Sequence, residues 1–580
     1  MVMVSFTDKI STTRSHGKTP APTASKSSAP TKKARLAEGP RQAGASTTDG
    51  VSPVGLAVGQ GDAPKTATSK STKKTNKGFL DQLTTGSVIQ APDGTKWTVI
   101  DTNVSTAGKR GQENVVKEVP GPSPYAKRYV VGGLTSSSWR LIVDEAILKH
   151  IKNCTEKEAR RALEKDDWCL PLGELDAFLG ILYLRGVTES KNMEVDLMWS
   201  EKYGFPFIKN VMSRDRFREI MRFLRFDDKS TRSIRLQSDK FALVSEVFDK
   251  FVSNSQACYI PGPFITVDEQ LFPSKTRCPF TQFMPDKPDK YGQKFFVATD
   301  KESKYVINMF PYLGKEDKRP DGERLGDHVV KRLVDPYLNK GRNVTCDNYF
   351  TSLKLAEFLK SKKTTLVGTV NRARREVPVC VKQAKEKLYS TKAFAKEGIT
   401  LTVYQGKSMK NVVLLSSMHS DVSTENDTKS KPNTVLFYNS TKYGVDVVDQ
   451  MARKYSVKSA SRRWPIHTFF NILDFAGINA WILYRDITKE KISRREFLFK
   501  LGEELTQELL DSRKSAPAVR MNAPLSGGSR KRCQVRVACN QSRSTNECTT
   551  CGRVVCKLCI GGVSYICKSC QPEDDEVADM

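Results

Sequence analysis

Four aspartates carry the spacing that metal chemistry needs. Asp446 and Asp449 lie three residues apart in Gly444-Val445-Asp446-Val447-Val448-Asp449-Gln450-Met451, so on a helix both carboxylates share one face. Upstream, the runs Phe264-Ile265-Thr266-Val267 and Asn343-Val344-Thr345-Cys346 each lead into an aspartate, Asp268 and Asp347. Carboxylates gathered in one place repel one another unless a cation sits among them. Their oxygens suit Mg²⁺ or Mn²⁺, and two such ions about 3.5–4 Å apart can drive in-line phosphodiester chemistry. Taken singly, each aspartate reads as well as an ordinary cap at the end of a strand or helix.

A second set of chemical residues lies near the C-terminus. Cys533 and Cys539 form a loose pair, and Cys548/Cys551, Cys556/Cys559 and Cys567/Cys570 are three tight pairs with two intervening residues. Two thiolates so spaced reach one tetrahedral Zn²⁺, and four pairs supply ligands for two structural ions. None of the five histidines falls here, so the expected ligand set is sulfur only. So short a module cannot build a sizeable core, and zinc is expected to supply most of its folding energy.

Composition says what these sites are to work on. The 580 residues have room for several domains, and a net charge of +29 with a pI near 9.5 points to a polyanionic partner. A basic protein of the membrane surface would share that charge. No apolar signal segment opens the chain, and the apolar stretch from Phe475 to Tyr484 reads as too short to span a bilayer. The expectation is a soluble, intracellular protein with no membrane partner. Eight of the fourteen cysteines follow residue 530, which favours a metal site in a reducing compartment over disulfides.

The elements that must position the acids follow from periodicity. Residues 1–127 are basic and poor in large apolar side chains, so disorder is expected there, interrupted by a strand-like piece at Lys96–Ile100. Basic clusters at 32–35 and 70–74 read as nuclear-import or DNA-tethering signals, or as a solvated tail. From about 136 to 255 the pattern is helical. Phe217, Ile220, Met221, Leu224 and Phe226 run beside Arg214, Arg216, Arg218, Arg222 and Arg225, either a DNA-facing helix or a buried face opposite a solvated one. Strands are expected at 264–267, 294–298, 305–310, 343–346 and 365–370, with helices at 324–338 and 352–360. Residues 372–434 read as a basic insertion long enough to be its own subdomain, Val435–Asn439 as a strand, and the Asp446/Asp449 helix follows. Helical spacing returns at 468–482. Before it, Arg462, Arg463 and Trp464 combine charge with a ring able to stack on an unpaired base, unless Trp464 is a core residue. Residues 515–532 read as a linker and 572–580 as an acidic tail.

At these residues the chain resembles piggyBac-type transposases. The resemblance is carried by Phe264–Asp268, Met284-Pro285-Asp286-Lys287-Pro288-Asp289-Lys290-Tyr291-Gly292, Thr345–Ser352, Gly444–Met451, and Arg462–Pro465 followed by Asn471–Asp474, in the family's order from about residue 130 onward. It implies a multidomain α/β protein whose RNase H-like catalytic core spans 264–371 and 435–456, interrupted by the 372–434 insertion subdomain. A helical dimerisation and DNA-binding domain flanks the core as 128–263 and 457–514, and a Cys-rich zinc module closes the chain at 533–571. Asp268, Asp347 and Asp446 would then bind two Mg²⁺ or Mn²⁺ ions, with Asp449 a further acid near them. Lys287, Lys290, Arg462, Arg463 and Trp464 become DNA-contact candidates. The resemblance also implies interleaved zinc pairing, with Cys533, Cys539, Cys556 and Cys559 on one ion and Cys548, Cys551, Cys567 and Cys570 on the other. The activity implied is cut-and-paste transposition of double-stranded DNA at TTAA by a nuclear homodimer. A domesticated, DNA- or chromatin-binding derivative is the alternative.

Overall fold

The computed structural model describes residues 83–102, 115–314, 319–383, 386–408, 410–515, 530–548 and 551–561. The chain divides into compact units at 1–74 and 75–580. The first lies wholly outside the described residues, as do the basic clusters at 32–35 and 70–74, much of the 515–532 linker and the acidic tail.

One mixed sheet of eleven strands organises the second unit. In chain order the strands are β1 (Val88–Gln90), β2 (Lys96–Ile100), the short β3 (Gly121–Pro122) and β4 (Tyr259–Ile260), β5 (Phe264–Pro273), β6 (Thr281–Phe283), β7 (Tyr291–Asp300), β8 (Val306–Pro311), β9 (Asn343–Cys346), β10 (Thr365–Thr369), β11 (Thr391–Lys396), β12 (Ile399–Lys407) and β13 (Lys410–Ser416). The short β3 and β4 pair only with each other. The large sheet runs β1-β2-β11-β12-β13-β10-β9-β5-β7-β6, with β8 also on β7. At its centre β5 is antiparallel to β7 and parallel to β9, and β9 is parallel to β10. Parallel neighbours need a crossover, and helix Leu353–Ser361 supplies it between β9 and β10.

Three expectations change here. Beyond the strand expected at Lys96–Ile100, which is β2, residues 83–102 and 115–127, assigned by composition to a disordered region, are folded. The β1–β2 hairpin pairs with β11 and buries Trp97, whose indole N–H donates to the Glu376 carbonyl at 2.9 Å. Sheet pairing and the burial of Trp97 and Val99 together supply apolar contact that the polar composition of the segment conceals. Residues 372–434 do not stand apart as a subdomain, because β13 pairs antiparallel with β10 and so continues the central sheet. Val435–Asn439 is not a strand but part of helix Asn433–Thr441. Val435, Tyr438 and Thr441 are buried at three-residue steps, a helical period that the β-branched and aromatic residues concealed.

The helices form a layer joined from both ends of the chain. Helix Arg494–Ser515 packs along helix Leu172–Val187 so closely that a Cβ at Gly180 would sit 2.7 Å from the Gly502 carbonyl oxygen. Helix Trp464–Thr488 runs through the middle. By length and composition it is able to cross a membrane, so the expectation of a stretch too short to span fails, yet 94 % of its apolar window is buried inside the protein. Its polar residues are matched to the layers around it. Asn479 pairs with both backbone groups of Val306, and the Leu473 carbonyl accepts from Tyr183, which in turn accepts from Trp139.

Candidate active site and metal centre

Parallel pairing of β5 with β9 brings the first two acids together. The register aligns Val267 with Cys346, so Asp268 and Asp347 follow side by side. Burial, then the charges of Glu269 and Asp347, push the Asp268 carboxyl well above the ordinary carboxylate range. Asp347 is raised by burial and by Glu269, against the N–H groups of Tyr349 and Phe350 and the Lys294 ammonium. A pair of acids in this state is short of positive charge. The surrounding cations are Lys294, half-buried over the rings of Phe296 and Tyr349, and Lys287, whose Nζ donates to the Glu269 carbonyl at 3.3 Å.

The other two acids arrive on helix Gly444–Lys454, which is docked against the sheet face that carries Thr266, Asp268 and Gln270. The hydroxyl of Thr266 donates to the Thr441 carbonyl, and that of Thr345 to the Thr441 hydroxyl, pinning the approach to the helix. Gly444 then lies so near the sheet that a Cβ would be 2.6 Å from the hydroxyls of Thr266 and Thr299. Asp446 is exposed in the first turn, where the helix dipole favours a carboxylate. Asp449 has both oxygens engaged. Oδ1 accepts from Gln270 at 3.2 Å and Oδ2 from Arg453 at 3.0 Å, while Gln270 is itself locked by two amide–amide bonds to Asn471. The carboxylates of Asp268, Asp347 and Asp446 do not all lie within 4.8 Å of one another. Among the described residues the one group of metal-capable side chains that meets that distance is the cysteine set below.

Beyond Asp347, two adjoining cavities of about 410 and 350 Å³ share Asn348 and Asn371. Arg324, Arg372, Arg374, Lys410 and Asn411 line them, and no carboxylate does. Arg374 and Arg324 donate to the carbonyls of Asn348 and Tyr349, tying the groove to the loop after Asp347. Periodicity missed this groove. Its signal was the run Asn371-Arg372-Ala373-Arg374-Arg375, read only as the start of a basic insertion.

The other DNA-contact candidates separate. Lys290 and Arg462 are exposed. Arg463 instead donates to the carbonyls of Met221 and Leu224 at the end of helix Arg214–Phe223. Trp464 is 8 % exposed and packs on Phe241 and Phe280, so it is a core residue with no face for a base. The arginine-rich helix also takes the plainer reading. Arg216 pairs with Glu174 and Glu219, Arg218 and Arg214 with Asp196, and Arg225 with Glu158.

In the C-terminal module Cys533, Cys539, Cys556 and Cys559 converge, with all four sulfurs within 4.8 Å of one another. This is the first of the two interleaved sets. The wide spacing of Cys533 and Cys539 is closed by a turn through Arg536 at φ +57° and by the Cys533 N–H donating to the Ser542 carbonyl. Burial pushes the Cys533 thiol up, but the backbone N–H groups of Arg536, Cys556 and Val535 outweigh it and hold it at about 6. Cys539 is pushed up to about 11 by burial and by sharing protons with the sulfurs of Cys556, Cys559 and Cys533. A tetrahedral all-sulfur set suits Zn²⁺. Cys548 is buried and Cys551 exposed, while Cys567 and Cys570 lie outside the described residues.

Residues 136–481 match the Transposase IS4 family. The human PiggyBac transposable element-derived protein 2 is 27 % identical over 366 residues, which is 60 % of this chain and 61 % of that protein. The human PiggyBac transposable element-derived protein 3 is 23 % identical over 350 residues, 57 % of this chain and 58 % of that protein. The chain thus spans about six-tenths of each relative's length. A piggyBac transposase solved by cryo-electron microscopy as a synaptic complex with hairpin DNA superposes with a TM-score of 0.66 at 30 % identity, over 78 % of this chain and 100 % of that one. With its acid-bearing sheet and sulfur-lined centre, the chain belongs to the IS4 family of DDE transposases and is a homologue of its piggyBac-type members.

Proposed function

We propose that the protein is a metal-dependent DNA transposase of piggyBac type on an RNase H-like core. The observation that carries this reading is the closeness of Asp268 and Asp347, which directly follow the last β5–β9 pair, Val267 with Cys346, and act on each other's charge, in a chain of this family. The strand order β8-β7-β5-β9-β10, three antiparallel then three parallel with β5 shared, supports the core assignment. Asp268, Asp347 and Asp446 are an oxygen-only donor set, and the first two are short of positive charge, which fits two Mg²⁺ or Mn²⁺ ions. Bound there, such ions would neutralise the scissile phosphate and lower the pKa of an attacking water or 3′-hydroxyl. The chain's own part is to hold the acids in place through the Thr266–Thr441 and Gln270–Asp449 bonds. The 348/371–374/410–411 groove and Lys287 would bind the phosphate backbone. The implied cycle cuts at a transposon end and joins that end at TTAA. It would be run in the nucleus by a homodimer; the synaptic complex of the solved relative with hairpin DNA supports the DNA-binding and assembly part of this reading. A second zinc ion is assigned to Cys548, Cys551, Cys567 and Cys570.

A domesticated protein that binds DNA without strand transfer is the second reading, favoured by the names of the two human relatives as element-derived proteins. Purified protein incubated with terminal DNA, Mn²⁺ and a TTAA target decides between them. Transposase activity requires strand-transfer product from wild type and none from Asp268→Asn, Asp347→Asn or Asp446→Asn at equal DNA binding. Binding without product from wild type selects the second reading.

A further inference from the structure

A cavity of about 930 Å³ lies on the acid-helix side of β5, with Gln270, Phe272 and Asp449 on its wall. Asp268, Gln270 and Phe272 alternate onto one face of the same strand, so the cavity begins two residues beyond Asp268 and runs along β5 toward Pro273. At about 3.3 Å per residue, that path covers roughly 7 to 13 Å, or about two to four nucleotides of a duplex strand at 3.4 Å each.

The charges around it are unequally matched. Of the acids on its wall, Asp196 pairs with Arg218 while Asp289 and Asp449 pair with Arg453, and Glu194 is exposed without an ion pair among the described residues. Asp474 is buried among hydrogen bonds from Ser456 and Val457. Three cations are not answered in this way. Lys458 donates its Nζ to the Pro273 carbonyl at 2.7 Å and Lys191 to the Arg453 carbonyl at 2.9 Å. Arg185, 3 % exposed, reaches only the carbonyls of Ser190, Lys191 and Met193 and leaves Nη1 without a partner. None of the three makes an ion pair among the described residues. Burial lowers the Lys458 ammonium, Asp289 and Asp474 act the other way, and its neighbours Lys191 and Arg453 add a smaller push downward. Cations held on carbonyls beside one another in a cavity form a receptor for anions.

We propose that this cavity is a phosphate track, in which Lys191 and Lys458 take consecutive backbone phosphates of the DNA strand that passes over Asp268, and Arg185 holds the 190–193 loop that presents Lys191. The acids then lie between two cationic tracks, this one along β5 and the carboxylate-free groove beyond Asp347. The proposal rests on the reading of the chain as a DNA-processing enzyme.

The test uses the full chain in Ca²⁺, to withhold cleavage, and a fluorescent duplex ending in a single-stranded TTAA overhang. In matched duplexes, one phosphate at a time near the overhang is replaced by an uncharged methylphosphonate. Lys191→Gln and Lys458→Gln should each weaken binding roughly three- to ten-fold and reduce the salt slope by about 1. Lys191→Arg and Lys458→Arg should bind as wild type. One or two methylphosphonate positions should weaken wild type but add nothing in the matching Gln variant. Should a Gln variant fail to fold, DNA must still protect Lys191 of the wild-type protein from acetylation, read by mass spectrometry. Folded Gln variants with unchanged affinity and slope, or a Lys191 that DNA leaves unprotected, overturn the track while the transposase reading stands. Wild-type protein that shows no salt-dependent DNA binding removes both.

Discussion

Asp446 and Asp449 share a helix and are three residues apart, yet their surroundings give them different work. Asp446 is exposed at the helix start with its oxygens open to solvent. Asp449 is held on both oxygens by Gln270 and Arg453. The resemblance implies that Asp449 is a further acid near the metals, and these bonds suit it to fixing the helix. Asp446→Asn should therefore abolish Mn²⁺-dependent cleavage. Asp449→Asn, which keeps an acceptor for Gln270, should lose only the roughly 10–100-fold typical of a group that orients a ligand. Equal losses in a single-turnover assay would return Asp449 to the metal site. Asp474 makes the other residue-scale prediction. Burial raises its carboxyl to about 7, against the hydrogen bonds from Ser456 and Val457. Between the unfolded value near 3.9 and the folded one, the native state holds a proton that the unfolded chain has lost. Its contribution is then full below about pH 4 and fades as pH rises through 7, with a slope of at most about 1.4 kcal/mol per unit. Asp474→Asn should flatten that part of the stability profile in denaturant titrations. An unchanged slope would show that other groups set it.

At the scale of elements, the active site depends on how closely one helix lies on one sheet. Gly444 allows that approach, because any Cβ there meets the hydroxyls of Thr266 and Thr299 at 2.6 Å. Gly444→Val should push the helix start off β5, costing about 1–3 kcal/mol of stability from overpacking. Cleavage should fall much further than the melting temperature implies, since Asp446 moves with the helix. Thermal melts and cleavage rates on the same preparation check this, and activity that tracks stability alone would place the acid's position under other control.

The whole molecule joins an acid-bearing sheet, a helical layer and a tail whose cysteines converge on one centre. Each draws on a different source of stability. The sheet and helices share a continuous apolar core, whereas the module's small buried cluster consists mainly of Cys533, Cys548, Val555, Cys556 and Cys559. A core that small does not fold by hydrophobic burial alone. Treatment with a strong chelator, or Cys556→Ser, should therefore abolish structure in residues 530–561 while leaving the main melting transition within about a degree or two, given how little core the module shares. Hydrogen exchange read by mass spectrometry tests both halves of this statement. Protection of the module that survives chelation would mean its fold does not depend on metal.

What could be read from the chain itself was local. Residues that lead an apolar run into Asp268 or Asp347, or pair cysteines at two-residue gaps, announce their chemistry through types and spacing that any fold must respect. The central strands were legible for the same reason, since alternation and β-branching are short-range signals. Only the tertiary structure decided matters set by distant contacts. It put Trp97 into the sheet edge, joined 372–434 to β10, and made Val435–Thr441 a helix by giving it a buried face. It also turned Trp464 inward between Phe241 and Phe280, and closed a bond on Asp449 from Gln270, 179 positions away in sequence. The physical reason is that burial and hydrogen-bond partners belong to pairs of residues, and a linear pattern records only one member of each pair.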